Sequence, residues 1–302
     1  MATAQFGRVI TAMITPFTED GAVDYESAVA LAKHLVSHGS EGLLVGGTTG
    51  EGATMTEEEK LKLYTLIVDA VGKRGEGKKV PVMGNIGTIS TADTIAFGNK
   101  AKETGIDCAL VIVPFYVKPN QEGMYQHFTA VAKGVDLPLV LYNVPGRTGV
   151  SIQPETIKRI VDECPNVVGI KDATGSWDQV TKEKALLPED FMIYSGDDAF
   201  TLPVLLAGGV GIISVSAHVI GDDMLAMVDA FEKGDLAKAR ELHLKMYEIN
   251  KGMFFTASPT PVKTATNLVG QPGGHFRLPM VEPTEAEKAK VRQMLENYGG
   301  LL

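Results

Sequence analysis

Cysteine is scarce in this chain, with only Cys108 and Cys164 among 302 residues. Two cysteines cannot build a disulfide framework or, alone, a zinc cluster, so both read as buried reduced thiols of a reducing compartment. Long apolar runs are also missing. The longest, at 109–117, is less than half of the roughly twenty residues that a membrane crossing needs. Residues 1–8 hold no basic stretch leading into an apolar core, the pattern of a signal peptide. Positive charge is in deficit: 28 Lys and Arg against 37 Asp and Glu leave a formal net charge of −9. That disfavours nucleic acid and anionic membrane surfaces, both of which attract basic stripes. Small anionic substrates stay open, because one local Arg outweighs a diffuse acidic field. We therefore expect a soluble, cytoplasmic protein with no nucleic-acid or membrane partner.

The length suits two domains, or one α/β barrel with an extension. Short apolar, β-branched runs recur at 8–14, 42–45, 80–83, 109–113, 137–142, 167–171, 191–194 and 211–215. They are continuous rather than alternating, as strands buried on both faces should be. Helix-period segments separate them. Ala28, Leu31, Ala32 and Leu35 share one face, with Asp24 placed to cap that helix and Gly39 to end it. Thr56 and Glu59 have capping-box spacing ahead of Leu61, Tyr64, Val68 and Val71. Pro154 suits a first helical position. Eight strands alternating with helices predict a (β/α)8 TIM barrel. An open doubly wound sheet is the rival, but the turn after its first strand is Gly-rich, and here it reads Ala12-Met13-Ile14-Thr15-Pro16. From Gly234 onward no strands are evident, and 235–252, 259–268 and 283–298 read as helices. We expect a catalytic barrel over 1–233 and a C-terminal helical appendage over 234–302 that is not a second catalytic unit.

Reacting groups in such a barrel come from the C-terminal ends of strands. The second strand runs into Gly46-Gly47-Thr48-Thr49-Gly50-Glu51-Gly52. Its spacing matches neither nucleotide-binding glycine motif. Exposed backbone N–H groups and paired hydroxyls suit a carboxylate, and a capped tight turn is the plain alternative. The sixth strand closes on Lys171. Desolvation there lowers the ammonium pKa and frees an amine for Schiff-base chemistry with a ketone. A lysine snorkelling from the strand end is the plain alternative. The other lysines, as in Glu59-Lys60, read as solvated helix-face residues. Tyr142 ends the fifth strand, where a phenol can shuttle protons. Arg147 follows on a Pro145-Gly146 turn and can clamp a carboxylate. Pro114-Phe115-Tyr116 closes the fourth strand with another phenol at the same rim. Asp197 and Asp198 after the seventh strand argue against a sugar-phosphate site there. For metal, His34 and His38 stand four apart but lack the Glu of H-E-x-x-H and a third ligand. His127, His218, His243 and His275 are scattered, so no metal site is expected.

Gly47-Thr48-Thr49-Gly50-Glu51, the run from Tyr142 to Gly149, Gly169-Ile170-Lys171-Asp172-Ala173-Thr174-Gly175 and Ser195-Gly196-Asp197-Asp198 together resemble the dihydrodipicolinate synthase family. The likeness extends over essentially the whole chain. N-acetylneuraminate lyase and keto-deoxy-sugar aldolases are the neighbouring alternatives. The paired threonines and Arg147 favour the synthases. A barrel that has lost catalysis and serves as a binding scaffold is the remote reading. The resemblance implies condensation of pyruvate with aspartate semialdehyde through an imine on Lys171, without a cofactor. It implies a proton relay of Tyr142, Thr48 and Tyr116, with Tyr116 reaching a neighbouring subunit's site across a tight dimer. Thr49 would hold the pyruvate carboxylate and Arg147 the semialdehyde carboxylate. The Ile213 carbonyl would lie near the imine, and Gly196 would contact substrate. A homotetramer, a dimer of dimers, is the expected assembly. Lysine-inhibited relatives carry histidines, an asparagine, a glutamate and a tyrosine where this chain has Glu57, Lys60, Ile89, Asp93 and Phe115. Weak or absent lysine inhibition is therefore expected.

Overall fold

The computed structural model describes residues 3–75 and 77–302. Eight parallel strands close into a barrel: β1 (Val9–Ala12), β2 (Gly42–Val45), β3 (Val82–Asn85), β4 (Cys108–Ile112), β5 (Leu139–Asn143), β6 (Val167–Asp172), β7 (Met192–Ser195) and β8 (Gly211–Ser214). Each pairs with its neighbour in sequence, and β1 closes on β8 through Ile10 beside Ile213. The helices are α1 (Tyr25–Ser37), α2 (Glu57–Val71), α3 (Thr91–Glu103), α4 (Gln121–Gly134), α5 (Pro145–Thr148), α6 (Pro154–Glu163), α7 (Trp177–Leu186), α8 (Thr201–Leu206) and α9 (Ala217–Glu232). The appendage adds α10 (Leu236–Gly252), α11 (Thr260–Leu268) and α12 (Glu285–Tyr298).

The apolar runs of the sequence become strands because each has two faces to bury. Side chains such as Ile10, Leu44, Leu110, Val140 and Ile213 fill the barrel interior. Their alternates, Val9, Leu43, Val111, Leu141 and Ile212, pack outward against helices. Cys108 lies inside the barrel, and both cysteines are free and buried. The expected helix signals act as written. Asp24 accepts from the Ser27 N–H, Thr56 and Glu59 form a reciprocal capping box, and Pro154 opens α6. Gly39 adopts φ +82° where a Cβ would sit 2.2 Å from the Gly221 carbonyl oxygen, so only glycine fits. α10 packs on α9 and on the short turn Asp198–Phe200, while α11 packs on α9 and α12. Among the described residues no helix is long and apolar enough to cross a membrane.

Candidate active site

A cavity of about 450 Å³ opens at the C-terminal ends of the strands. Lys171, Tyr142, Thr48, Thr49 and Arg147 all line it. Strand register brings the first two together, because Tyr142 on β5 pairs directly with Lys171 on β6. The Lys171 Nζ lies 4.5 Å from the centre of the Tyr142 ring. Both side chains are buried, at 5% and 6% exposure. Burial pulls the Lys171 ammonium down to about 8, against the charge of Asp198, which favours the cation, and with that of Arg147, which does not. Burial also raises the Tyr142 phenol, opposed by the Arg147 charge and by a hydrogen bond with the Thr48 hydroxyl. Among the described residues no carboxylate forms an ion pair with Lys171 or with Arg147.

Arg147 sits on α5, a single turn that Pro145 starts and Gly149 stops at φ +74°. The Gly-rich loop after β2 holds Thr48 and Thr49 against the cavity. A Cβ on Gly52 would fall 1.9 Å from the Gly46 carbonyl oxygen, so the loop folds tightly on itself. Tyr116 is placed differently from the rest. β4 ends at Ile112, not beyond it as expected, and Tyr116 lies on a later turn with φ +66° and 87% exposure. It does not line its own chain's cavity. Neither do Gly196 and Ile213. Gly196 packs on Ala173 and donates its N–H to the Asp172 carbonyl, while the Ile213 side chain faces the barrel interior.

Two lysines differ from the solvated reading. Lys60 lines the cavity, with its ammonium 4.6 Å from the Phe97 ring centre, and burial lowers its pKa. Lys263 on α11 is fully buried. Ile89 and Phe115 share the cavity wall with Lys60, whereas Glu57 is paired with Lys100 at 2.6 Å. Reading the sequence also missed a role for Asp198. It is buried, accepts from the Ser214 hydroxyl and from the Val215 N–H at 3.0 Å, and burial raises its pKa to about 6. Its sequence signal is an acid three residues past the end of a barrel strand. His34 and His38 have their rings 4.4 Å apart, and His38 pairs with Asp222 at 3.0 Å. Among the described residues no three His, Cys, Asp or Glu side chains cluster as a metal-binding group.

A buried amine, a phenol beside it and a guanidinium at one end of a parallel barrel describe a class of site rather than one enzyme. The family decides further: the model of the dihydrodipicolinate synthetase family matches residues 5–298. The chain belongs to that family. A 4-hydroxy-tetrahydrodipicolinate synthase from Heliobacterium modesticaldum is 48% identical over 295 residues, covering 98% of this chain and 96% of that protein. One from Desulforamulus reducens is 44% identical, covering 98% and 99%. Among solved structures, dihydrodipicolinate synthase from Cyanidioschyzon merolae with lysine bound superposes with a TM-score of 0.94 at 40% identity, covering 98% of this chain and 99% of that one. The family thus matches the resemblance read from the motifs.

Proposed function

We propose that this chain condenses pyruvate with L-aspartate 4-semialdehyde, through a Schiff base on Lys171, to give 4-hydroxy-tetrahydrodipicolinate. The reaction is the family's, on the diaminopimelate route to lysine. One observation carries the assignment to Lys171: a buried amine that no carboxylate among the described residues pairs with, set beside a phenol at the C-terminal end of the barrel strands. The amine adds to the ketone carbon of pyruvate and water leaves, giving an iminium. That electron sink makes a methyl proton removable, and the proton passes to the relay of Tyr142, Thr48 and Tyr116. The resulting enamine carbon attacks the aldehyde, whose oxygen takes a proton back. The semialdehyde's own amine then displaces Lys171 and closes the ring. Hydroxyls serve this relay better than a carboxylate, since they pass protons both ways beside a cation. Thr49 holds the pyruvate carboxylate and Arg147 that of the semialdehyde. By the family's pattern we keep the Ile213 carbonyl near the imine and Gly196 as a substrate contact, although neither lines the cavity of the single chain. We assign catalysis to 1–233, place the protein in the cytoplasm, and take the working assembly as a homotetramer in which Tyr116 serves the neighbouring subunit.

The test is borohydride reduction of the protein with pyruvate. One reduced pyruvate should map to Lys171, with trapping rising as pH passes through about 8. Addition of aspartate semialdehyde to the unreduced enzyme should yield the ring product. Adduct on another lysine overturns the assignment, and turnover only with a sugar aldehyde favours the lyase alternative. Lysine should inhibit weakly, because Lys60 sets a cation on the cavity wall beside Ile89 and Phe115, whose side chains offer no polar contact. A lysine titration of initial rate with half-inhibition well below a millimolar would contradict this.

A further inference from the structure

The loop that carries Thr48 and Thr49 is not held by the barrel alone. Its Glu51 is a non-glycine residue at φ +52°, a left-handed conformation that its neighbours must enforce. The Glu51 side chain is buried, and its Oε1 accepts from the Lys263 Nζ at 2.6 Å. Oε2 accepts from the Arg277 N–H at 3.3 Å. The Lys263 ammonium also donates to the His275 carbonyl and lies 4.5 Å from the Phe17 ring centre. Both ion-pair partners are essentially inaccessible, at 0% and 2% exposure. The same turn is tied back to the threonines, since the Glu51 N–H donates to the Thr48 carbonyl at 3.1 Å. Arg277 closes the circuit by donating to the Thr54 carbonyl and, through two nitrogens, to Glu59.

A buried ion pair is a poor source of stability, because desolvation offsets most of the attraction. What it supplies is one fixed geometry for the groups attached to it. We infer that Lys263 and Glu51 are positioning residues for the pyruvate subsite, through which the C-terminal appendage sets the turn presenting Thr48 and Thr49. The inference rests on the assignment of those threonines to pyruvate. Neither Lys263 nor Glu51 touches the reacting atoms.

The experiment measures the pyruvate concentration that half-saturates borohydride trapping, together with trapping at saturation. Lys263→Met should raise the half-saturating concentration at least tenfold while saturated trapping still reaches one adduct per chain on Lys171. Glu51→Gln, which keeps the side chain's shape, should raise it in the same direction by less. The double variant should be no worse than Lys263→Met, because the pair acts as a unit. Half-saturation unchanged in both single variants, or changed only in proportion to lost folded protein, overturns the inference. Should Lys263→Met fail to fold, Glu51→Gln decides alone. Thr49→Val in the same assay separates the two levels. If it leaves half-saturation unchanged, the subsite assignment fails; if it raises it while Lys263→Met does not, the positioning role fails.

Discussion

Lys171 and Lys263 are both buried, and they differ in what surrounds the ammonium. Burial lowers the pKa of both, but Lys263 has a carboxylate and a carbonyl within hydrogen-bonding distance, and the Glu51 charge opposes the shift. Lys171 has the Tyr142 ring and a more distant acid, Asp198, so burial weakens its proton. That contrast is why we propose Lys171, and not Lys263, as the nucleophile. Arg147 is the complementary case, a cation on the cavity wall that no carboxylate among the described residues pairs with. That supports its proposed role toward a substrate carboxylate. Arg147→Ala should still trap pyruvate on Lys171, yet lose more than tenfold in condensation rate. A charged hydrogen-bonded contact is worth about 1.5–3 kcal/mol, and each 1.36 kcal/mol is a factor of about ten. Unchanged kinetics with aspartate semialdehyde in this variant would contradict the role. Lys171, Tyr142 and Arg147 were legible in the sequence because strand ends of a parallel barrel converge. Lys263 was not, since its partner Glu51 lies 212 residues away and no local pattern announces the pair.

At the scale of elements, the ends of β5 and β6 are fastened from outside the barrel as well as from within. Asp172 follows Lys171 with its side chain on the outer face, where it accepts from the Thr174 N–H at 3.0 Å and hydroxyl at 2.5 Å. Glu183 on α7 accepts from Gln179 at 2.9 Å. One oxygen of each carboxyl is buried with no donor of its own, and the two carboxyls hydrogen-bond to one another. Two acceptors can do so only around a shared proton. Burial raises the pKa of both groups, and the Asp172 charge raises Glu183 further, so the proton belongs on Glu183. Asn143, Gln179 and Thr174 are the remaining groups that face the pair. Unfolded, Glu183 loses its proton near its ordinary value of 4.5, whereas folded it keeps it to higher pH. Stability is therefore full below that value and falls as pH rises through the window up to the folded pKa, by as much as about 1.4 kcal/mol per pH unit. Glu183→Gln donates an N–H in place of the O–H and has no proton to lose. Its melting temperature relative to the parent should climb as pH is raised from 5 to 8. A difference that does not vary with pH would dispose of the shared proton. Helix caps and strand runs could be read in the sequence here because they are local. The carboxyl pair could not, since it joins two elements through a contact that neither sequence segment signals.

For the whole molecule, the closed barrel followed from eight buried runs, yet one member of the expected relay stands outside the site it should serve. Pro114 has no N–H to continue the β4 ladder. Past it the chain turns through left-handed conformations at Tyr116 and Lys118, which cost energy in non-glycine residues. The turn leaves Tyr116 87% exposed and Val117 59% exposed. A strained turn that projects an aromatic and an aliphatic side chain into water fits a contact completed by another copy. Under the proposed assembly the position of Tyr116 relative to a reacting group depends on the second subunit, so no reading of a single chain could place it further. Mixing Lys171→Ala chains with Tyr116→Phe chains tests this directly. Each homo-oligomer lacks one group in every site and should be nearly inactive. In a mixed dimer, the site with the intact Lys171 belongs to the Tyr116→Phe chain and receives its phenol from the Lys171→Ala chain. That site has both groups, and its partner has neither. Activity should therefore rise on mixing, toward about one competent site per mixed dimer, with a time course set by subunit exchange. If exchange is demonstrated by mass and no activity returns, Tyr116 acts within its own chain or has no part in the relay.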